Sequence, residues 1–354
     1  MVCVAAFIIL AICVLGLPVI RIFSKRTADT IWNLFKKSVY CFTHRVTFRK
    51  CDSTFKDDIK NSILRKVVIK HANWVKPLSI IIEVLSVVII CITVWSLLVA
   101  FKAGVNLIAY DTCTPDRPEA CAVGNAEACT AIGSNEGKNA FEWTVNWFVE
   151  IGDAIVAIPL RFIDWNAEDF LPENPVFFNK FNNDKPIAID IFDPGCLWCK
   201  ESFKNKLESG FFDEQNVAML PYALKDGDEF RYANSDLIVR YLEATNLVQL
   251  ENPNMPTSWK IMQRIFTESN EHGLWQNDFI NYYDEDETRE ILNDWLKEFG
   301  YSKNEVKKIA TLVDSEEVAE IVSKNRDIVE NQVRIVKIPT MLFNGKRHDG
   351  LFKP

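Results

Sequence analysis

Cys196 and Cys199 stand three positions apart in Asp193-Pro-Gly-Cys196-Leu-Trp-Cys199-Lys200. A thiol pair at this spacing can cycle between dithiol and disulfide, or can hold a metal ion. Zinc would want a second pair, yet the nearest other cysteine is Cys129, far upstream, and His272 and His348 are isolated. Metal is therefore not expected, and redox chemistry is. The local order supports this. An apolar run, Ile187-Ala-Ile-Asp-Ile-Phe192, reads as a strand and enters a Pro-Gly turn that delivers the cysteines at a helix start. The first N–H groups of a helix lack intrahelical partners and its dipole favours negative charge. A cysteine there is stabilised as thiolate, and its pKa can fall from about 8.5 to roughly 3.5–7.5. Two further residues belong with the pair. Asp190 stands in the strand six positions before Cys196, and Ile338-Pro339-Thr340 opens the closing segment of the chain.

The elements that must position these residues begin near residue 176, beyond Pro172 and Pro175. Strand 186–192 is followed by a helix over 196–207 and a second apolar strand over 216–224. Helical spacing of apolar residues recurs over 235–244, 258–268, 287–299, 303–313 and 316–329. An apolar strand from Val333 and an Asn344-Gly345 hairpin turn close the chain. The expected fold is α/β with a helical insertion at about 225–330.

Ile189-Asp-Ile-Phe-Asp-Pro-Gly-Cys-Leu-Trp-Cys-Lys200 resembles the active-site segment of the thioredoxin superfamily, which carries an acid at the Asp190 position and often a lysine at the Lys200 position. The stretch between Cys196 and Ile338 is too long for plain thioredoxin. The DsbA-like branch inserts a helical domain there, and Ile338–Lys346 is similar to its closing strand and hairpin. The resemblance covers roughly 176–354. It implies that Cys196 is an exposed nucleophile, that Cys199 is a more buried resolving cysteine, and that Asp190 carries protons to and from Cys199. An Asp190 facing solvent from an edge strand is the alternative. Pro339 would be cis, shaping a groove for a substrate strand with Ile338. Trp198 would contact substrate by covering the pair, or would pack on the insertion. No cofactor beyond the redox-active disulfide is implied. The chain departs from the family in its Leu-Trp dipeptide, which holds neither Gly-Pro nor Pro-His, and in ending at Pro354 where the branch adds a helix. Potentials across the fold span about −270 to −120 mV, so the motif leaves the direction of electron transfer open.

The part of the chain ahead of Val176 sets the location. Val2–Ile20 carries no charged side chain, and Leu78–Phe101 carries only Glu83. Each is long enough to cross a hydrocarbon core of about 30 Å. The first lacks a preceding basic region, unlike a cleaved signal peptide, and Arg21, Lys25 and Arg26 follow it. Between the two, the stretch 24–77 holds 13 Lys or Arg against four acids, while 102–354 holds 26 against 43. The basic loop is thus expected in the cytoplasm beside anionic lipid, with the N-terminus and everything after 101 outside. No nucleic-acid-binding module is recognisable. The domains expected are a span at 1–23, the loop at 24–77, a span at 78–101, a linker with an amphipathic segment at 102–175, and the thioredoxin-like unit at 176–354. Cys113, Cys121 and Cys129, spaced by eight, suggest one structural disulfide with one cysteine left over.

These readings together imply a two-pass membrane enzyme forming or exchanging disulfides in cysteine-containing exported proteins. Reoxidation by a membrane quinone reductase of DsbB or VKOR type would complete its cycle. A reductase fed through the membrane and a non-catalytic tethered binding module remain the alternatives.

Overall fold

The computed structural model describes residues 25, 29, 32–33, 35–40, 75–116, 127–131, 139–250 and 255–353. The expected first span, most of the basic loop and Cys121 lie outside them. The chain divides into two compact units, 1–101 and 102–354. Helix α1, Val75–Tyr110, is predominantly apolar, with Lys76, Glu83 and Lys102 its charged residues. Within it Val84–Tyr110, whose apolar 18-residue window has a mean hydropathy of 2.8, is by length and composition able to cross a membrane, the one such segment among the described residues. It reaches further toward the C-terminus than the expected 78–101.

In the second unit, strand β1 is Cys129–Thr130, and helix α2, Ala140–Ala157, starts at a capping box formed by Asn139 and Glu142. Helix α2 buries Trp147, Ile151, Ala154 and Ala157, while Phe141, Phe148, Val149 and Val156 face outward. That is the amphipathic segment expected near 141–165.

The sheet that carries the site is built from β2 (Ile187–Phe192), β3 (Asn216–Pro221), β5 (Thr340–Phe343) and β6 (Lys346–Asp349), in the order β6-β5-β2-β3. Strands β2 and β3 are parallel, with Ile187 opposite Asn216 and Phe192 opposite Pro221, and helix α3 (Leu197–Glu208) crosses between them. Strand β5 is antiparallel to β2, placing Asp190 opposite Met341. Residues 188–192 of β2 are buried on both faces, so the run is apolar on both rather than alternating, apart from the buried Asp190. The turn between β5 and β6 is Asn344-Gly345, both at positive φ (51° and 68°), the geometry that an Asn-Gly hairpin supplies. Of the two sheet edges, β6 is rich in charge. The other, β3, is strapped by 176–178: Phe178 N–H donates to Val217 O (2.9 Å) and Met219 N–H to Val176 O (3.2 Å).

A short helix α4 (Phe211–Glu214) precedes β3. The insertion then runs through α5 (Ser235–Leu247), α6 (Thr257–Thr267), α7 (Trp275–Asn281), α8 (Glu285–Glu298), α9 (Lys303–Val313) and α10 (Glu316–Asp327). Capping boxes Asp284/Glu287 and Ser302/Glu305 start α8 and α9. Trp259 of α6 is fully buried among Phe178, Phe192, Phe203 and Phe212, joining insertion and sheet into one core. Trp165 and Ala167 belong to that same core, so core-forming chain begins ahead of Pro172 and Pro175. The architecture, a four-stranded mixed sheet with a helical insertion between β3 and the closing hairpin, is the thioredoxin-like α/β arrangement that the resemblance implied.

Two details differ from the sequence reading. Helix α7 was not anticipated. The expected strand from Val333 is instead a π-helical turn over Ile328–Val333, then Arg334 at φ 54°, then a two-residue strand β4, Lys337–Ile338. Strand β4 does not join the sheet. It pairs with β1, antiparallel, with Cys129 opposite Ile338 and Thr130 opposite Lys337.

Candidate active site

The turn that presents the cysteines is held by Asp193. Its Oδ1 accepts from Gly195 N–H (2.6 Å) and from the Ser235 hydroxyl, and its Oδ2 accepts from Leu224 N–H (2.6 Å). Burial nonetheless pushes this carboxyl from 3.8 up to about 6, the three hydrogen bonds opposing the shift. Gly195 is required for space. A Cβ there would sit 2.5 Å from Cβ and Cγ of Tyr232. From the insertion, the Gln276 amide donates to Pro194 O (2.9 Å) and Cys196 O (3.0 Å). Sequence reasoning gave Asp193, Ser235, Tyr232 and Gln276 no role, and Gln276 carried no signal in its polar stretch.

Cys196 is the N-cap of α3 and is completely buried. This differs from the expected exposed nucleophile, and the reason is covalent: Cys196 is disulfide-bonded to Cys129, 67 residues away, with Cα atoms 6.4 Å apart. Of the three cysteines at 113, 121 and 129, Cys129 is thus the one that pairs outside that loop. Cys113 is also disulfide-bonded. Cys199, one turn into α3, is a buried free thiol. Burial raises its pKa well above the ordinary thiol value; the Asp193 N–H and Lys206 pull the other way, while the charges of Asp193 and Asp190 add to the rise.

Asp190 is buried at the centre of the sheet, so it does not face solvent from an edge. Its Oδ2 is ion-paired with Lys206 Nζ, both side chains being almost fully buried. Its Oδ1 accepts no hydrogen bond among the described residues. Lys206 follows Cys199 by seven positions on α3, two helical turns that return it to the same face. That spacing was the available signal for it, although a lysine in a polar helix reads first as surface. The Asp190–Lys206 pair thus acts electrostatically on the buried thiol.

The Ile338–Pro339 bond is cis. The loop before it is fastened by Thr340 Oγ1, which lies 2.8 Å from both Lys337 O and Asp349 Oδ1, and by Gly350 N–H donating to Pro339 O (2.7 Å). Ile338 is fully buried. Trp198 is half-buried against the main core, whereas Leu197 beside it is exposed. Strand β1 lies against this loop and is bonded to the turn through Cys129–Cys196. Ala131 N–H donates to Val336 O (2.7 Å), Leu351 N–H to Glu127 O (2.8 Å), and the Arg231 guanidinium to Thr130 O. The Tyr232 hydroxyl lies 3.4 Å from Cys129 Sγ. The structure therefore brings Cys196, Cys199, Asp190, Ile338 and Pro339 into one region and adds Cys129, Asp193, Lys206, Arg231 and Tyr232 to it.

No family model matches the chain, and no curated protein does. Among solved structures it is similar to MdbA, a thiol-disulfide oxidoreductase from Corynebacterium matruchotii, at 17% identity over 52% of this chain and 92% of that one, with a TM-score of 0.36. It is similar to oxidised BdbD from Bacillus subtilis at 19% identity over 50% and 88%, with a TM-score of 0.35. It is similar to DsbA from Xylella fastidiosa, an oxidoreductase, at 16% identity over 49% and 85%, with a TM-score of 0.31.

Proposed function

We propose that this chain is a membrane-anchored thiol–disulfide oxidoreductase acting outside the cytoplasm on cysteine-containing exported proteins. The observation that carries the reading is the constellation around α3. Cys196 sits at the helix N-cap engaged in a disulfide, while a free thiol, Cys199, waits one turn behind it beside the buried Asp190–Lys206 pair. Exchange proceeds by thiolate attack on a disulfide sulfur. A substrate thiolate attacks the Cys196–Cys199 disulfide at Cys196, and Cys199 departs as the thiolate. A second substrate thiolate then displaces Cys196, leaving a substrate disulfide and the reduced pair. Asp190 supplies and removes the Cys199 proton, with Lys206 balancing the carboxylate charge in the sheet interior. The apolar segment Val84–Tyr110 supports anchoring, and the basic composition of 24–77 supports a cytoplasmic loop on anionic lipid. A quinone reductase of DsbB or VKOR type would return the pair to the disulfide.

The test is trapping in the native cell with Cys129→Ser/Cys199→Ala. Removing the resolving thiol leaves exported proteins bound to Cys196 as mixed disulfides. A variant that is folded and exported yet accumulates none overturns the reading.

A further inference from the structure

The oxidoreductase reading assigns no function to the bond between Cys196 and Cys129, and the manner in which Cys129 is held is informative. Strand β1 lies antiparallel to Lys337–Ile338 directly before Pro339, the place where an added strand finds free backbone partners. Each end of the segment is tied by a main-chain hydrogen bond, Leu351 N–H to Glu127 O and Ala131 N–H to Val336 O. One charged side chain, Arg231, takes the carbonyl that follows the cysteine, and Tyr232 closes over its sulfur. Ala128, just before the cysteine, is buried, at 4% exposed. This is how an extended peptide docks by strand addition, and here the peptide belongs to the chain itself.

Resting on the oxidoreductase reading, we infer that Cys129 is a third redox-active cysteine, and that Glu127–Ala131 is a tethered occupant of the substrate groove, competing with cysteine-containing segments of the same extended, small-flanked kind. The exchange balances within the chain. Cys199 thiolate attacks Cys196 Sγ, the Cys196–Cys199 bond forms, and the Cys196–Cys129 bond breaks. Cys129 leaves as thiolate and takes up the proton that Cys199 gave up. One disulfide and one thiol stand on each side, so no external oxidant or reductant is consumed. The groove is then vacant, and the Cys196–Cys199 disulfide faces the next cysteine to enter it.

The test uses the full-length protein in detergent, equilibrated with reduced and oxidised glutathione, acid-quenched, alkylated and mapped by mass spectrometry. The wild type shows both Cys129–Cys196 and Cys196–Cys199 bridges, in a ratio that holds constant while their total falls as the buffer becomes more reducing, and Cys199→Ser shows only the first. A tethered segment has an effective concentration on the order of millimolar. Against the peptide Ala-Ala-Cys-Thr-Ala at about 10 µM, Cys129→Ser therefore raises the rate of mixed-disulfide formation about 10- to 100-fold. Ala131→Pro deletes the N–H that bonds Val336 O while keeping all three cysteines, and raises the rate in the same direction. A wild type in which Cys196 is bridged only to Cys129 at every potential, or a Cys129→Ser variant that reacts at the wild-type rate, overturns the role of Cys129 alone. A folded Cys129→Ser variant that forms no mixed disulfide at all overturns the oxidoreductase reading beneath it.

Discussion

Replacing Gly195 by alanine tests how tightly the cysteine-bearing turn is built. The new Cβ would lie 2.5 Å from Cβ and Cγ of Tyr232 and 2.8 Å from its Cδ2. An ordinary carbon–carbon contact needs roughly 3.5–4.0 Å, so the two groups must separate by about 1 Å. The atoms met are the root of the tyrosine side chain, which cannot swing aside as a flexible tip would. The turn cannot retreat either, because Asp193 holds the Gly195 N–H and Gln276 holds the carbonyls of Pro194 and Cys196. Overpacking of this kind costs about 1–3 kcal/mol. For a unit of this size that lowers Tm by about 2–12 °C at roughly 2–4 °C per kcal/mol. Thermal unfolding of the full chain in detergent, followed by far-UV circular dichroism, reads the loss. The companion variant Tyr232→Gly removes both the Cβ and the ring that obstruct the new methyl, and a double-mutant cycle with Gly195→Ala isolates the clash. The double variant should be more stable than the sum of single losses predicts, by about 1 kcal/mol or more. A Gly195→Ala protein within about 0.5 kcal/mol of wild type, the range of an uncrowded surface substitution, refutes the packing argument. So does a cycle that closes at zero.

Three other outcomes follow from the same geometry. Lys206→Met strands the Asp190 carboxylate inside the sheet and should destabilise by about 3–5 kcal/mol, whereas Asp190→Leu/Lys206→Met should recover much of that loss; equal melting of Lys206→Met and wild type would refute the buried pair. Burial raises Asp193 from 3.8 to about 6 and Glu243 from 4.5 to about 7, so each keeps its proton in the folded state after the unfolded chain has lost it. Stability is therefore greatest below about pH 4 for these two groups and falls by about 3 kcal/mol each as pH climbs to about 7, at roughly 1.36 kcal/mol per unit. Urea titrations of Asp193→Asn and Glu243→Gln against wild type across pH 4–7 would show a flatter profile in each variant, and an unchanged slope would contradict the assignment. Arg231→Met removes a charged hydrogen bond worth about 1.5–3 kcal/mol from the Thr130 carbonyl, and should shift the Cys129–Cys196 equilibrium toward free Cys129 about 10- to 150-fold in a glutathione titration.

What could be read from the amino-acid order was what is local. The run Ile187–Phe192 is apolar on both faces apart from Asp190 because both are buried, and capping boxes such as Ser302/Glu305 mark helix starts in the letters themselves. The positions of Asp190, Cys199 and Pro339 followed from their spacing along those elements. What stayed hidden depended on contacts between distant segments. Nothing in 113–129 announces that Cys129 crosses 67 positions to Cys196, since cysteine pairing is not encoded by spacing. Lys206 was overlooked because burial of a lysine is decided by the partner it meets, here Asp190. The run after Val333 reads as one strand by composition, yet Arg334 turns the backbone and hands Lys337–Ile338 to β1 instead of the sheet.

The strap over β3 has a consequence for any shortened form of this protein. Val176–Phe178 fills the hydrogen-bonding side of β3 that faces away from β2, through Phe178 N–H to Val217 O and Val176 O from Met219 N–H. A fragment starting after Phe178 would keep every cysteine of the exchange pair and the whole insertion, but would display a bare strand margin flanked by apolar side chains. Bare margins recruit one another. Such a fragment should associate with copies of itself at concentrations where one starting before Trp165 stays dispersed, so the stretch from Trp165 to Phe178 acts as a built-in guard against clumping.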